Sequence, residues 1–347
     1  MKILITGGTG NVGKAVVERF VAHGCEVRVI SVDDSPDVHD KAEYTRCDIT
    51  SYGDVREQVR GCDAIVHLAA ISNPMVVPAP DLFNINVAGT YNVFEAAADE
   101  GIRRVAQASS INAFGCFWGV TDMDIQYLPI DEEHPTFTTD VYSFSKGMVE
   151  EIADYYWRRE GITSASFRLP AVWGRQHIAA LTEDAEQQSW RNDKIAAIDE
   201  FAALPEADKR TQLAEIAQST VAYRQRKLFE YPNAGEAFKP QNHPEEFAGN
   251  PIWGQYVYDR FNFWAYIDER DSAQAFEKAI TTDYEGSHAL FVNASNNWFN
   301  YDSKTLANLF FSDVSVWKQD LTGSDSLVSI AKAQTLIGFQ PEFEIEG

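Results

Sequence analysis

The sequence predicts an α/β protein: a doubly wound parallel sheet with a helical insert and a smaller C-terminal lobe. Three observations predict it. The first 170 residues alternate short apolar runs with helical stretches, the pattern of a parallel sheet covered by helices. A glycine-rich turn, Thr6-Gly7-Gly8-Thr9-Gly10-Asn11-Val12-Gly13, separates the first strand from the first helix. From about residue 176 to 256 the strand signal stops, and Ala, Glu, Gln and Lys take over.

The elements follow from local patterning. Lys2–Thr6 reads as strand one, and 11–23 as an amphipathic helix behind the glycine turn. Strands are expected at 26–30, 43–46, 64–67, 104–108 and 163–168, each a short run rich in β-branched or apolar residues. Helices are expected at 81–100 and 140–159, the second stopped by Gly161. In the insert, Ile195, Ile198, Phe201, Leu204, Leu213 and Ile216 recur at helical spacing, and a Pro/Asn/Gly-rich stretch lies between Tyr231 and Pro251. A strand at 263–267, a helix at 270–280 and a strand at 289–293 complete the C-terminal lobe. The organisation expected is 1–175 for the sheet domain, 176–256 for the insert and 257–347 for the lobe, with a strand and helix returning to the core.

Function begins at the glycine turn. The Gly7-x-x-Gly10-x-x-Gly13 spacing lets backbone approach a pyrophosphate at a helix N-terminus, where free N–H groups and the positive end of the dipole meet it. Its place between strand one and helix one makes the sheet Rossmann-type. An acidic residue about 20 positions on should hold the ribose diol. Asp33 and Asp34 stand there, with Ser31 at the strand tip; no Arg is expected nearby to receive a 2′-phosphate, and two carboxylates would repel one. NAD is therefore the expected cofactor, with NADP left open. Asp48, followed by Ile49, either caps the next helix or reaches the adenine.

The second signal is Tyr142-Ser143-Phe144-Ser145-Lys146, which sets a Tyr and a Lys one helical turn apart. A phenol ordinarily ionises near pH ~10, and an adjacent ammonium lowers that value toward working pH. The same spacing recurs at Tyr223 and Lys227. That copy lies in the insert beside Arg224 and Arg226 and is expected to be a solvated helical face.

The order of these segments resembles the extended short-chain dehydrogenase/reductase family, in its NAD-dependent epimerase/dehydratase branch. The resemblance rests on the glycine turn, Cys47-Asp48-Ile49, His67-Leu68-Ala69-Ala70, Asn86-Val87-Ala88-Gly89-Thr90, Ser109-Ser110 with Phe114-Gly115, Tyr142-x-x-x-Lys146 and Phe167-Arg168-Leu169-Pro170. It covers residues 1–175 well and 262–340 loosely. It implies hydride exchange between a nicotinamide and a sugar-like carbinol carbon. Tyr142 would carry the hydroxyl proton, Lys146 would hold the nicotinamide ribose and lower the Tyr pKa, and Ser110 would bond the same oxygen. Asn86 would order a proton path or stabilise its helix. Leu68 and Ala69 would flank the adenosine side and Pro170 the nicotinamide. A homodimer packed through the 81–100 and 140–159 helices is also implied.

Two departures narrow the reading. The family's nucleotide-sugar epimerases place an Asn where this chain has Ala171, and its dehydratases follow the Ser with an acidic pair where this chain has Ile111 and Asn112. Arg175, His177 and Arg260 are candidates to meet an anionic substrate, or they are surface groups. The insert aromatics Trp190, Tyr223, Phe229 and Tyr231 are expected to form the core of the cap. A redox-sensing protein that binds dinucleotide without turnover is the rival class, and retention of both Tyr142 and Lys146 counts against it.

The bulk properties exclude other partners. A net charge of −23 argues against nucleic acid and anionic membranes, and reads as an acidic soluble surface or as adaptation to high salt. Cys25, Cys47, Cys62 and Cys116 show neither zinc nor disulfide spacing, so a reduced cytoplasm without a resident metal is expected. Neither a signal peptide nor an apolar run long enough to span a bilayer is expected.

Overall fold

The computed structural model describes residues 1–34, 36–227, 229–231 and 250–345. Seven parallel strands run in the order β3-β2-β1-β4-β5-β6-β9, namely β1 (Lys2–Thr6), β2 (Glu26–Ser31), β3 (Ala42–Arg46), β4 (Ala64–His67), β5 (Arg104–Ala108), β6 (Thr163–Arg168) and β9 (Ser287–Phe291). The order reverses between β1 and β4, and at such a switch point the strand C-termini open a crevice. The crossover helices include α1 (Asn11–Ala22), α2 (Tyr52–Val59), α4 (Gly89–Asp99) and α5 (Val141–Glu160). Val16, Val17 and Phe20 of α1 and Val93, Phe94 and Ala97 of α4 turn inward on opposite faces of the sheet. Each fully buried Val or Phe of this kind stabilises the fold by about 1.5–3 kcal/mol.

The helix expected at 81–100 is not continuous. It begins as α3 (Ala79–Phe83), widens to a π turn at Asn84–Ala88 and resumes as α4. The extra residue of a π turn rotates the side chains after it, and here the turn contains the buried Asn86. A strand at 263–267 is also corrected. Phe263 and Trp264 take φ of 56° and 50°, which no strand accommodates, so β8 starts at Tyr266 and runs to Asp268. It pairs with β7 (Ala171–Trp173) as a separate two-stranded sheet. The following helix, Glu269–Thr281, packs Ala275, Phe276 and Ala279 into the same core as α1, and β9 pairs with β6.

The insert is helical where described: α6 (Arg175–Glu183), α7 (Ala185–Ala202) and α8 (Glu206–Gln225). The spaced Ile198, Phe201 and Ile216 are buried, in one cluster with Phe114, Leu128, Trp298 and Leu327 from outside the insert. Most of the Pro/Asn/Gly-rich stretch expected between Tyr231 and Pro251 lies outside the described residues. Among the described residues, no helix is long and apolar enough to cross a membrane.

Candidate active site

A cleft of about 620 Å³ opens over the C-terminal ends of β1, β2, β4, β5 and β6. Every residue expected at the cofactor lines it: Gly7, Gly10, Asn11, Val12, Gly13, Ser31, Asp33, Asp48, Ile49, Leu68, Ala69, Lys146 and Pro170. Ser110 and Tyr142 line it as well, and sequence reasoning missed Thr9, Cys47, Ile71, Ser72 and Val172. Thr9 lies in the glycine turn and its side chain bonds Asp33, whereas Ile71, Ser72 and Val172 are wall positions brought in by the strand ends.

The glycine turn fits a dinucleotide because its backbone has no room or need for side chains. Gly7 sits at φ +69°, and a Cβ there would meet Ala69 N at 2.7 Å. A Cβ on Gly13 would stand 2.3 Å from the Gly7 carbonyl oxygen. Helix α1 begins behind this turn with no capping side chain and no acid in its first turn, so its N–H groups remain available to an anion.

The acidic end of the cleft differs from expectation in one respect. Asp33 accepts a hydrogen bond from Ser31 Oγ at 2.9 Å, and bonds from the Thr9 and Ser31 side chains hold its carboxyl below the usual range. An Arg does stand nearby. Parallel pairing of β2 with β3 sets Arg46 opposite Ser31, and its Nε lies 2.8 Å from Asp34 Oδ1. Sequence distance hid this neighbour, which only strand register supplies. Asp48 does not cap α2. Its Oδ1 accepts from Thr50 N and Oγ1 at 2.9 and 2.8 Å, while Ser51 occupies the N-cap, and this turn leaves the carboxylate on the cleft wall.

At the other end, Asp140 caps α5 by accepting from Ser143 N at 2.8 Å, which fixes the start of the helix that carries Tyr142 and Lys146. Both side chains are buried. Ser110, two residues past β5, lines the cleft with Tyr142, and its hydroxyl favours the ionised form of the phenol. Lys146 donates from Nζ to the Ala108 carbonyl at 2.8 Å, and lies 5.9 Å from the Tyr142 ring centre. The expectation that Lys146 lowers the Tyr142 pKa is corrected. Burial dominates and pushes the phenol up to about 12, and the Ser110 hydroxyl is what opposes it. Burial likewise takes Lys146 down to about 8, against the field of Glu150.

Glu150 is a supporting residue that sequence reasoning passed over, although it lies one further turn along the Lys146 face. Arg168 grips it through Nε–Oε1 at 3.1 Å and Nη2–Oε2 at 2.9 Å, and Ser109 Oγ donates to Oε1 at 2.6 Å. Asn86 is fully used as a brace. Its Oδ1 accepts from Ile71 N at 2.7 Å, and its Nδ2 donates to Ile71 O and Ser145 Oγ at 3.0 Å each. It thus ties a cleft wall to α5 but does not itself line the cleft. His67 is held between Thr6 Oγ1 at 2.7 Å and Thr90 Oγ1 at 2.9 Å. Thr6 Oγ1 already accepts from Leu68 N and Ala69 N, and Thr90 Oγ1 donates to Asn86 O. Thr6 therefore donates to Nδ1, and the ring proton sits on Nε2. Burial takes this histidine down to about 3.

The second Tyr/Lys pair is not a solvated face. Tyr223 is buried, stacking edge-on against Phe229 and Trp253, and Lys227 lies past the end of α8 at φ 54°. An apolar neighbourhood outweighed the charges beside it in sequence. Phe229 is buried as expected, whereas Trp190 and Tyr231 are 47% and 45% exposed, Trp190 stacking on Trp298. Of the anion candidates, Arg260 is buried and donates to Phe310 O at 2.6 Å. Arg175 pairs with Glu18 and Glu269, and His177 packs against Trp173 at the surface.

Similar proteins place this geometry. Over 169 residues the chain is 30% identical to a uronate dehydrogenase of Pseudomonas syringae pv. tomato, covering 48% of this chain and 58% of that one. It is 30% identical over 182 residues to a putative UDP-glucose 4-epimerase of Methanocaldococcus jannaschii, covering 50% and 57%. The chain thus spans less than two thirds of these curated relatives' lengths. A short-chain dehydrogenase/reductase superfamily protein from Agrobacterium tumefaciens, with bound NAD, shares the fold at a TM-score of 0.61 and 17% identity, over 99% of this chain and 94% of that one. The profile of the NAD dependent epimerase/dehydratase family matches residues 3–196, which take in the glycine turn, Ser110, Tyr142 and Lys146. The chain belongs to the NAD dependent epimerase/dehydratase family.

Proposed function

We propose that the protein is an NAD-linked oxidoreductase acting on a hydroxyl-bearing carbon of a sugar or sugar derivative. The observation that carries this reading is the Ser110–Tyr142 hydroxyl pair, held beside Lys146 in a cleft whose far end is the glycine turn. NAD would supply the hydride acceptor or donor, with the glycine turn holding its pyrophosphate, Asp33 its ribose diol and Lys146 its nicotinamide ribose. Tyr142 removes or returns the hydroxyl proton, and Ser110 bonds the same oxygen and stabilises charge as it develops there. Lys146, anchored on Ala108 O, keeps a cation beside the phenol, and Arg168 with Glu150 fixes the helix below it.

Within this reading, net dehydrogenation or carbonyl reduction is favoured over epimerisation of a nucleotide sugar. Ala171 offers no side-chain donor, and Arg175 and Arg260 are engaged with Glu18, Glu269 and Phe310 O. Among the described residues, Lys146 is the cation that lines the cleft. A small substrate without a diphosphate fits these walls. Exposed Phe83, Tyr91, Phe144 and Tyr155 on α3, α4 and α5 support a homodimer through that face. Free Cys25, Cys47, Cys62 and Cys116 support a reduced, cytoplasmic setting. The test is to release and identify any bound nucleotide, then assay NAD reduction with a panel of free sugars and sugar acids. Reduction of added NAD by a free sugar supports the reading. Tightly held NAD that interconverts nucleotide sugars without net reduction replaces dehydrogenation by epimerisation.

A further inference from the structure

The insert meets the loop that follows Ser110 through Arg224 and through Phe229, whose ring packs on Phe117 and Trp118. Arg224, on the last turn of α8, is 2% exposed and lies far from the cofactor turn in sequence. Its Nη1 donates to the carbonyls of Phe117 at 2.9 Å and Gly119 at 2.6 Å, with Cys116 O at 3.5 Å. Its Nε lies 3.1 Å from Asp122 Oδ1, and the Phe261 ring covers its guanidinium at 3.9 Å. One cation thus gathers the loop 116–122 around itself.

That loop is tied directly to the proposed reacting oxygens. Phe117 N donates to Asn112 Oδ1 at 2.9 Å, and Asn112 N donates to Ser110 Oγ at 3.1 Å. Ser110 in turn favours the ionised form of the Tyr142 phenol. A guanidinium suits this place because it stays charged when buried and its planar face can lie under the Phe261 ring while Nη1 donates to the carbonyls and Nε faces Asp122.

We propose that Arg224 is a positioning residue through which the insert sets the Ser110–Tyr142 oxygen pair. The proposal rests on the reading that this pair handles the substrate oxygen. It gives the insert a part in the chemistry while leaving the cofactor end untouched. Misplacement of reacting groups by about 1 Å costs on the order of a hundred-fold in rate.

Arg224→Gln tests it. The expected result is a fall in kcat of about ten- to hundred-fold, with KM for NAD changed by less than about two-fold. In the oxidative direction the ascending limb of the pH–rate profile should also move to higher pH, because the Ser110 interaction that favours the phenolate is loosened. Unchanged kcat and pH profile would overturn the proposal. So would parallel losses in kcat, NAD affinity and thermal midpoint, which report general unfolding. Asp122→Asn keeps the shape and removes the facing charge, and should show the same split in weaker form if Arg224→Gln does not fold. Amide exchange separates the two readings. If the wild-type protein oxidises no sugar in the panel, the functional reading fails. Faster exchange at 111–119 in Arg224→Gln, with 3–8 unchanged, still supports the positioning link, and unchanged exchange there overturns it.

Discussion

The chain carries two Tyr-x-x-x-Lys segments, and their fates differ although both tyrosines are buried. Tyr142 faces a solvent-accessible cleft, with a hydroxyl partner in Ser110 and a buried cation one turn away. Tyr223 faces an aromatic cluster, and Lys227 has left the helix for a partly exposed position 4.0 Å from Glu230. Helical spacing brings two side chains together only if the helix continues through both. Chemistry further requires an opening for substrate and a group to steady the oxygen. The first segment opens onto the cleft beside Ser110, and the second is closed in by its aromatic neighbours.

The largest expected effect separates the two tyrosines. Tyr142→Phe should lower kcat by about 10²- to 10⁴-fold, as expected for loss of a general acid/base, while Tyr223→Phe should leave it within about two-fold. Steady-state kinetics on both variants checks this, and equal losses would erase the distinction. Next comes the cation. Lys146→Met should lower kcat/KM about a hundred-fold and yet raise stability by about 1–3 kcal/mol, because the fold holds an ammonium whose charged form burial disfavours. Urea denaturation beside the kinetics would show the two effects with opposite sign.

A smaller effect concerns the cofactor end. Asp34→Ala frees Arg46 from its exposed pair and should raise the NADP-to-NAD ratio of kcat/KM about ten-fold. No change in that ratio would mean that Arg46 does not reach the ribose. A separate effect is on stability with pH. His67 is held neutral, with its folded value near 3 against an ordinary 6.5. The unfolded chain binds that proton first, so this contribution is complete above pH 6.5 and declines as the pH falls toward 3. The slope is at most about 1.4 kcal/mol per pH unit. Denaturation midpoints across that window should flatten in His67→Gln relative to the wild type.

The cofactor half was legible because its signals are local. A glycine at φ +69°, a strand that ends at Thr6 and a helix that starts at Asn11 are dictated by neighbours in sequence. The reaction centre was legible in its residues but not in its electrostatics. Ser110, Tyr142 and Lys146 were named from spacing and resemblance, whereas the ordering of their ionisation follows from burial, which spacing does not express.

What the sequence determined by itself was the alternation of strands and helices, the glycine turn and the identity of the groups at the cleft. These depend on backbone preference and on side-chain periodicity within one element. What only the tertiary structure decided was which distant residues meet. Register between β2 and β3 brought Arg46 to Asp34, the π turn at Asn84–Ala88 accommodated Asn86, and the packing of α8 carried Arg224 to the carbonyls beside Ser110. Each of these meetings joins positions that share no local pattern. Strand register sets the exposed Arg46–Asp34 pair, whereas Asn86 and Arg224 are buried polar groups that must find partners wherever the packed core places them.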